Sequence, residues 1–114
     1  MKIEGEGQLL RIFVGENERH EGQPLYEAIV RTANEHNLAG ATVLRGVAGF
    51  GADSRIHTTK ILRMSENLPV VIEIIDTAEH IQKVLPSIDE MVGTEGLITL
   101  EKVEIIGYKP KDKG

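Results

Sequence analysis

The sequence predicts an α+β domain, an antiparallel sheet with two helices on one face, laid down in the order β-α-β-β-α-β. Three observations carry this. Residues 8–14 and 70–75 are short, largely apolar runs whose side chains fall on two faces with period two. Apolar residues recur at three- and four-residue spacing in 24–36 and again in 81–92. Glycine, proline, asparagine or aspartate stands at the junctions between these segments.

Taken in order, residues 1–7 are rich in glycine and glutamate and are expected to form a frayed tail. Residues 8–14 form the first strand, with Leu10, Ile12 and Val14 on one face and Leu9, Arg11 and Phe13 on the other. A polar, net-acidic loop follows over 15–23, carrying Glu16, Glu18, Arg19, His20 and Glu21. Pro24 suits the first position of a helix, where its missing N–H would be unpaired anyway. Leu25, Ala28, Ile29, Ala33 and His36 give that helix one buried stripe, and Asn37 and Gly40 suit the left-handed turn that ends it.

The second strand is expected over 41–48 and the third over 70–75, where Val70, Ile72 and Ile74 face away from Val71, Glu73 and Ile75. Asp76 or Thr77 caps the second helix, with Glu79 placed as the capping-box partner of Asp76. Ile81, Val84, Leu85, Ile88, Met91 and Val92 form its core stripe. Pro86 lies within that span and predicts a bend rather than a break. Gly93-Thr94-Glu95-Gly96 is a tight turn into a last strand over 97–108. Apolar parity there switches between Ile98/Leu100 and Val103/Ile105, which predicts a bulge or break near Glu101 and Lys102. Residues 109–114 read as a solvated tail. With right-handed connections the order gives a split-βαβ, ferredoxin-like sheet occupying a single domain, 1–114.

Strands one and three carry apolar residues on both faces, interrupted by Arg11 and Glu73. A half-solvated antiparallel sheet alternates cleanly. The second face is therefore expected to be covered by other subunits, with Arg11 and Glu73 as a structural cross-strand ion pair.

Between strands two and three lies a long excursion, 50–67, holding Arg55, His57, Lys60 and Arg63 in a chain of formal net charge −5. The acidic balance and 4% aromatic content argue against nucleic-acid binding. No apolar run is long enough to cross a bilayer, so no membrane insertion is expected. The N-terminus lacks the apolar centre of a signal peptide and there is no cysteine, so the expected location is the cytoplasm. An anionic ligand would need a local basic site against the global field, and the excursion supplies the candidate cations. The same cations suit an acidic partner surface.

Gly46, Gly49 and Gly51 allow two readings, turn geometry at a strand exit or close approach to a phosphate or ribose. They are not the dinucleotide fingerprint, which joins a strand directly to a helix. The four histidines show no helical i, i+4 ligand pair, so no metal site is assigned; His20 and His57 remain candidates for a site shared between subunits. No nucleophile–base pair or P-loop lysine is present, and an enzyme is not expected.

The blocks "GATVLRGVAGFG", "LPVVIEIID" and "GLITLEKVEII" resemble the PII signalling superfamily. More closely, "RIFVGENERHEGQPLYEAIV" and "RIHTTKILRMSENLPVVIEI" resemble the PII-like family catalogued as domain of unknown function 190. The resemblance implies a homotrimer that binds a nucleotide across a subunit boundary and docks its T-loop on a target enzyme or transporter. By position, Gly49, Phe50 and Gly51 match the base of the T-loop, Thr42 a strand-two threonine, and Gly93 to Gly96 the B-loop. Where PII proteins place a B-loop lysine, this chain has Glu95, and no arginine follows. The excursion also lacks tyrosine.

The combined expectation is a regulatory protein that needs no cofactor and takes a small anionic effector, an adenine nucleotide. Its ligand contacts are expected from Thr42, Gly49, Phe50, Gly51, Arg55, His57, Lys60, Gly93 and Gly96, and its partner contacts from Arg55, Lys60 and Arg63. The alternatives are a divalent-metal-binding trimer resembling copper-tolerance proteins, and a ligand-free module that docks on a membrane transporter.

Overall fold

Leu10, Ile12 and Val14 alternate along the first strand, and all three lie in the core. The computed structural model describes residues 3–51, 56–58 and 67–110. Along the chain it comprises β1 (Ile3–Gly15), β2 (Arg19–His20), β3 (Gln23–Pro24), α1 (Leu25–Glu35), β4 (Thr42–Arg45), β5 (Ala48–Gly49), β6 (His57–Thr58), β7 (Pro69–Asp76), α2 (Ala78–Val92) and β8 (Gly96–Tyr108). The main sheet has the order β4-β7-β1-β8 with antiparallel pairing throughout, as the split-βαβ reading requires. Leu10, Ile12, Ile72 and Ile74 meet Leu25, Ile29, Ile81, Val84 and Ile88 from the two helices, and these residues are fully buried.

The helix ends follow from local chemistry. Asn37 sits at φ +59, just past α1. The Leu38 N–H bonds the Ala33 carbonyl at 3.1 Å and the Asn37 N–H bonds Asn34 at 3.0 Å, a Schellman closure. His36 is exposed rather than part of the stripe, and Pro24 is the N-cap, one residue before its expected place. α2 runs unbroken through Pro86. Thr77 is its cap, its hydroxyl accepting the His80 N–H at 3.3 Å.

Asp76 therefore does not form the capping box with Glu79. Its carboxylate is wholly buried and spent elsewhere. It accepts the Thr77 N–H at 2.6 Å and the Ala39 N–H at 2.8 Å, and pairs with His80 Nδ1 at 2.8 Å. The Tyr108 hydroxyl donates to the Ala39 carbonyl at 2.9 Å. Ala39, in the connection between α1 and β4, is thus clamped on both sides of its backbone.

Two further expectations need correction. Residues 3–7 are not frayed: they pair with the end of β8, and Ile3 is buried. β8 also has no break at Glu101 and Lys102. Pairing with β1 runs in register from Val14↔Gly96 to Gly5↔Ile105, and the irregularity lies beyond, between Gly5↔Ile105 and Ile3↔Tyr108. The parity switch instead marks a change of covered face. Ile98 and Leu100 oppose Ile12 and Leu10 on the helix side, whereas Val103 and Ile105 lie on the other side of the sheet.

That other side is organised in rows. Leu44, Val71, Phe13 and Leu97 lie across all four strands, next to a row of Thr42, Glu73, Arg11 and Thr99. Arg11 Nε bonds Glu73 at 2.8 Å and its Nη1 bonds Glu101 at 2.6 Å, so the expected cross-strand pair has a third member. The Glu73 hydrogen bond chiefly, with the attraction of both carboxylates, holds the guanidinium above its ordinary pKa against a smaller effect of burial. Leu44 and Leu97 remain half exposed in the single chain, at 50% and 58%.

Asp76→Ala strands the Ala39 N–H and the His80 ring in the clamp. It should lower unfolding stability by about 2–4 kcal/mol in urea titration, with Asp76→Asn losing less because it keeps an acceptor.

Candidate functional site at the glycine-rich exit

Pro69, the first residue of β7, organises this end of the sheet. The Gly46 N–H bonds the Pro69 carbonyl at 2.7 Å. A Cβ on Gly46 would lie 2.8 Å from Pro69 Cγ, and one on Gly49 3.1 Å from it. Gly46 is therefore held to glycine by close approach, Gly49 has little room for a side chain, and neither adopts a left-handed conformation. Among the described residues the glycines at positive φ are Gly5, Gly22 and Gly93. The expected strand over 41–48 accordingly stops at Arg45, and the chain folds over the Pro69 ring. Ala48 and Gly49 then pair with Thr58 and His57 to close the base of the excursion.

Between this base and the rest of the sheet lies a cavity of about 500 Å³. Phe13, Val14 and Gly15 line it from β1, Gly49, Phe50 and Gly51 from the exit, and Asn67 and Pro69 from the returning limb. Glu18 enters from the acidic loop, and Glu95, Gly96 and Leu97 from the turn before β8. Gly96 is packed so closely on the Phe13 carbonyl that a side chain would collide with it.

Asn67 ties the parts together. Its Oδ1 accepts the Asn17 N–H at 2.7 Å and its Nδ2 donates to Glu18 Oε1 at 3.2 Å. The Glu16 N–H bonds the Leu68 carbonyl at 2.7 Å, and Arg45 forms an ion pair with Glu16. The acidic loop and the returning limb are one unit.

Of the residues expected to bind ligand, the structure gathers Gly49, Phe50, Gly51 and Gly96 around this one cavity. Gly93 stands apart, at φ +53, as the C-cap of α2. Thr42 lines a different cavity of about 510 Å³, with Ala39, Glu73 and Tyr108. His57 is placed by its backbone in β6, while Arg55, Lys60 and Arg63 lie outside the described residues. Sequence reasoning missed Phe13, Glu18, Asn67 and Leu97. Their convergence depends on strand register and on a loop contact 49 residues apart in sequence, which no local pattern carries.

The chemistry on offer is apolar contact from Phe13, Phe50 and Leu97, glycine backbone that a ligand can approach closely, and two carboxylates. Among the described residues, Glu18 and Glu95 are the charged groups lining the cavity. His20 lies 4.0 Å from Glu21, His36 Nδ1 meets the Thr32 carbonyl at 2.8 Å, and His80 pairs with Asp76. No group of three or more His, Cys, Asp or Glu side chains suited to a metal ion occurs among the described residues.

Asn67→Ala removes two hydrogen bonds and the filler over Gly15. It should cost about 1–2 kcal/mol by thermal denaturation, and Asn67→Asp should also be destabilising because it sets two carboxylates together at Glu18.

Comparison with known proteins shows the family and the fold. The model of the family DUF190, described as "Uncharacterized ACR", matches residues 7–105. A UPF0166 protein of Aquifex aeolicus is 46% identical over 100 residues, covering 87% of this chain and 92% of the relative. The nitrogen regulatory PII-like protein CPII from Thiomonas intermedia K12, solved bound to ADP, AMP and bicarbonate, superposes with a TM-score of 0.67 at 11% identity over 88% of each chain. The divalent ion tolerance protein CutA1 from Ehrlichia chaffeensis superposes with a TM-score of 0.56 at 14% identity, covering 96% of this chain and 88% of CutA1. Both structural likenesses are likenesses of fold. No helix among the described residues is long and apolar enough to cross a membrane.

Proposed function

The chain belongs to the DUF190 family, and from that premise and the cavity's geometry we propose that it is a PII-like regulatory protein whose effector is an adenine nucleotide. The observation that carries this reading is the convergence of Gly49, Phe50, Gly51 and Gly96 on one cavity. The fold shared with CPII, which was solved with ADP and AMP, supports it. Phe13, Phe50 and Leu97 would hold the base, and the glycine backbone would approach the ribose and phosphate. The lining includes Phe50 and Gly51, where the excursion begins. Occupancy would therefore shift the conformational populations of the 50–67 segment and its affinity for a partner, with Arg55, Lys60 and Arg63 available for that contact.

Assembly as a homotrimer through the open sheet face belongs to the same proposal. The row of Leu44, Val71, Phe13 and Leu97 beside the Arg11 network is the surface that association would dehydrate. Subunit contact there would bring neighbouring surface to the cavity, because Phe13 and Leu97 belong to both.

Calorimetric titration with ATP, ADP, AMP and cyclic dinucleotides tests the ligand. At least one adenine nucleotide should bind, and Phe50→Ala should weaken it by about 5- to 100-fold, the range for losing an aromatic stacking partner. Silence from all of them would overturn the reading. Sedimentation should give three times the 12.6 kDa chain mass, and Leu44→Asp should shift the protein to monomer by burying a charge in the apolar row. A monomeric wild type would overturn the assembly.

A further inference from the structure

The open side of the sheet is apolar in two zones with charge between them. Next to the row of Leu44, Val71, Phe13 and Leu97 comes the row that holds Glu73 and Arg11. Beyond that, Ile75, Leu9 and Glu101 stand side by side, followed along β8 by Val103 and Ile105 on the same side. Arg11 reaches Glu73 within its own row at 2.8 Å and Glu101 in the next at 2.6 Å. Both contacts run from side chain to side chain, and together they join three strands, β7, β1 and β8. A second surface that covers both apolar zones has to cover this network as well. It cannot leave the charges at the rim.

On the trimer reading above, we propose that the Arg11–Glu73–Glu101 network is the specificity element of the assembly, fixing the register in which copies of this chain meet and rejecting surfaces that lack it. A second copy is the occupant of the face because the network carries both signs of charge. A copy can therefore set its own guanidinium and carboxylates against those of its neighbour. A plainly apolar partner would strip water from the three groups and return nothing. A copy displaced by one row would set them against Phe13 and Val71, or against Leu9 and Ile75, with the same penalty. The apolar rows alone do not discriminate in this way, since leucine on valine tolerates a shift that arginine on leucine does not. In the single chain the penalty is absent: the side chains of Arg11, Glu73 and Glu101 keep 32%, 31% and 52% of their surface in water. The weight of the network is felt on association.

The test co-expresses the tagged wild-type chain with a chain carrying Arg11→Met, Glu73→Met and Glu101→Met together, and counts the trimers by native mass spectrometry. Each chain should assemble with its own kind, leaving mixed trimers about tenfold below their statistical share. A statistical mixture overturns the proposal. Independently, Arg11→Met should raise the concentration at which the trimer half-dissociates by about tenfold or more, because it leaves two carboxylates buried without their cation. Arg11→Lys should fall in between, since an ammonium lacks the planar fork that serves both carboxylates. In the monomeric Leu44→Asp chain the same Arg11→Met change should hardly move the urea midpoint, as the network there stays in water. An unchanged trimer, or a loss in the monomer large enough to account for the loss in the trimer, assigns the network to the fold of one chain and overturns the proposal. This pair of measurements decides the matter if the triple variant precipitates. Wild-type protein that stays monomeric across the concentration series removes the assembly reading itself, and this specificity with it.

Discussion

The register between β1 and β7 is the constraint from which the rest follows. Leu10 faces Ile74, Ile12 faces Ile72 and Val14 faces Val70, all on the helix side, and Arg11 faces Glu73 on the other. A slip of one residue would exchange the faces and drive an arginine and a glutamate into the core. Burying those charges would cost several kcal/mol, far more than a shifted ladder could recover. The same register sets Gly15 opposite Pro69 and Gln8 opposite Asp76, and so decides what stands at each end of the sheet.

The two ends are finished in opposite ways. At the Asp76 end every polar group of the junction is engaged: the carboxylate, the Ala39 amide and carbonyl, the His80 ring and the Tyr108 hydroxyl. No buried side-chain polar atom is left without a partner among the described residues. That end is closed. At the Pro69 end the backbone is stitched together by Gly46 and Glu16 and the Asn67–Glu18 and Arg45–Glu16 contacts link side chains, yet a cavity lies beside them and Phe50 stays 69% exposed. A polar junction that is fully satisfied has little reason to rearrange. An apolar opening beside a fixed frame can gain contacts from a ligand without disturbing the frame.

Much of this architecture was legible because it is periodic. The two faces of β1 and β7, the stripes of α1 and α2 apart from His36, and the Arg11–Glu73 pair follow from spacing, and the left-handed Asn37 follows from its residue type. The failures have a common cause: the deciding partner was remote in sequence. Asp76 before Thr77 looks like a cap until Ala39, 37 residues away, claims its carboxylate. Val103 and Ile105 look out of phase until β1 shows that the strand has merely changed which face is covered. Gly46 and Gly49 read as turn formers or as points of approach for a ligand, whereas in the fold it is the Pro69 ring that crowds them. The site suffered most. Gly49, Phe50 and Gly51 were visible as a motif, while Phe13, Glu18 and Asn67 reach the cavity only through pairing and loop contacts.

The placement of Phe50 and Gly51 decides what kind of device the proposed function describes. Both limbs of the excursion are tethered before it begins. Gly46 is bonded to Pro69 on the outgoing side, and Asn67 and Leu68 are bonded to the acidic loop on the returning side. The Ala48–Gly49 pairing with His57–Thr58 closes the base between them. A ligand lodged against Phe13 and Leu97 therefore rests on parts held by the main sheet, while its contacts with Phe50 and Gly51 belong to the segment above. Only contacts that differ between two arrangements of that segment can bias it. Contacts with the fixed wall supply affinity without coupling. Phe50 is then the natural place for the coupling to reside, since it lines the cavity and yet is mostly exposed in the single chain.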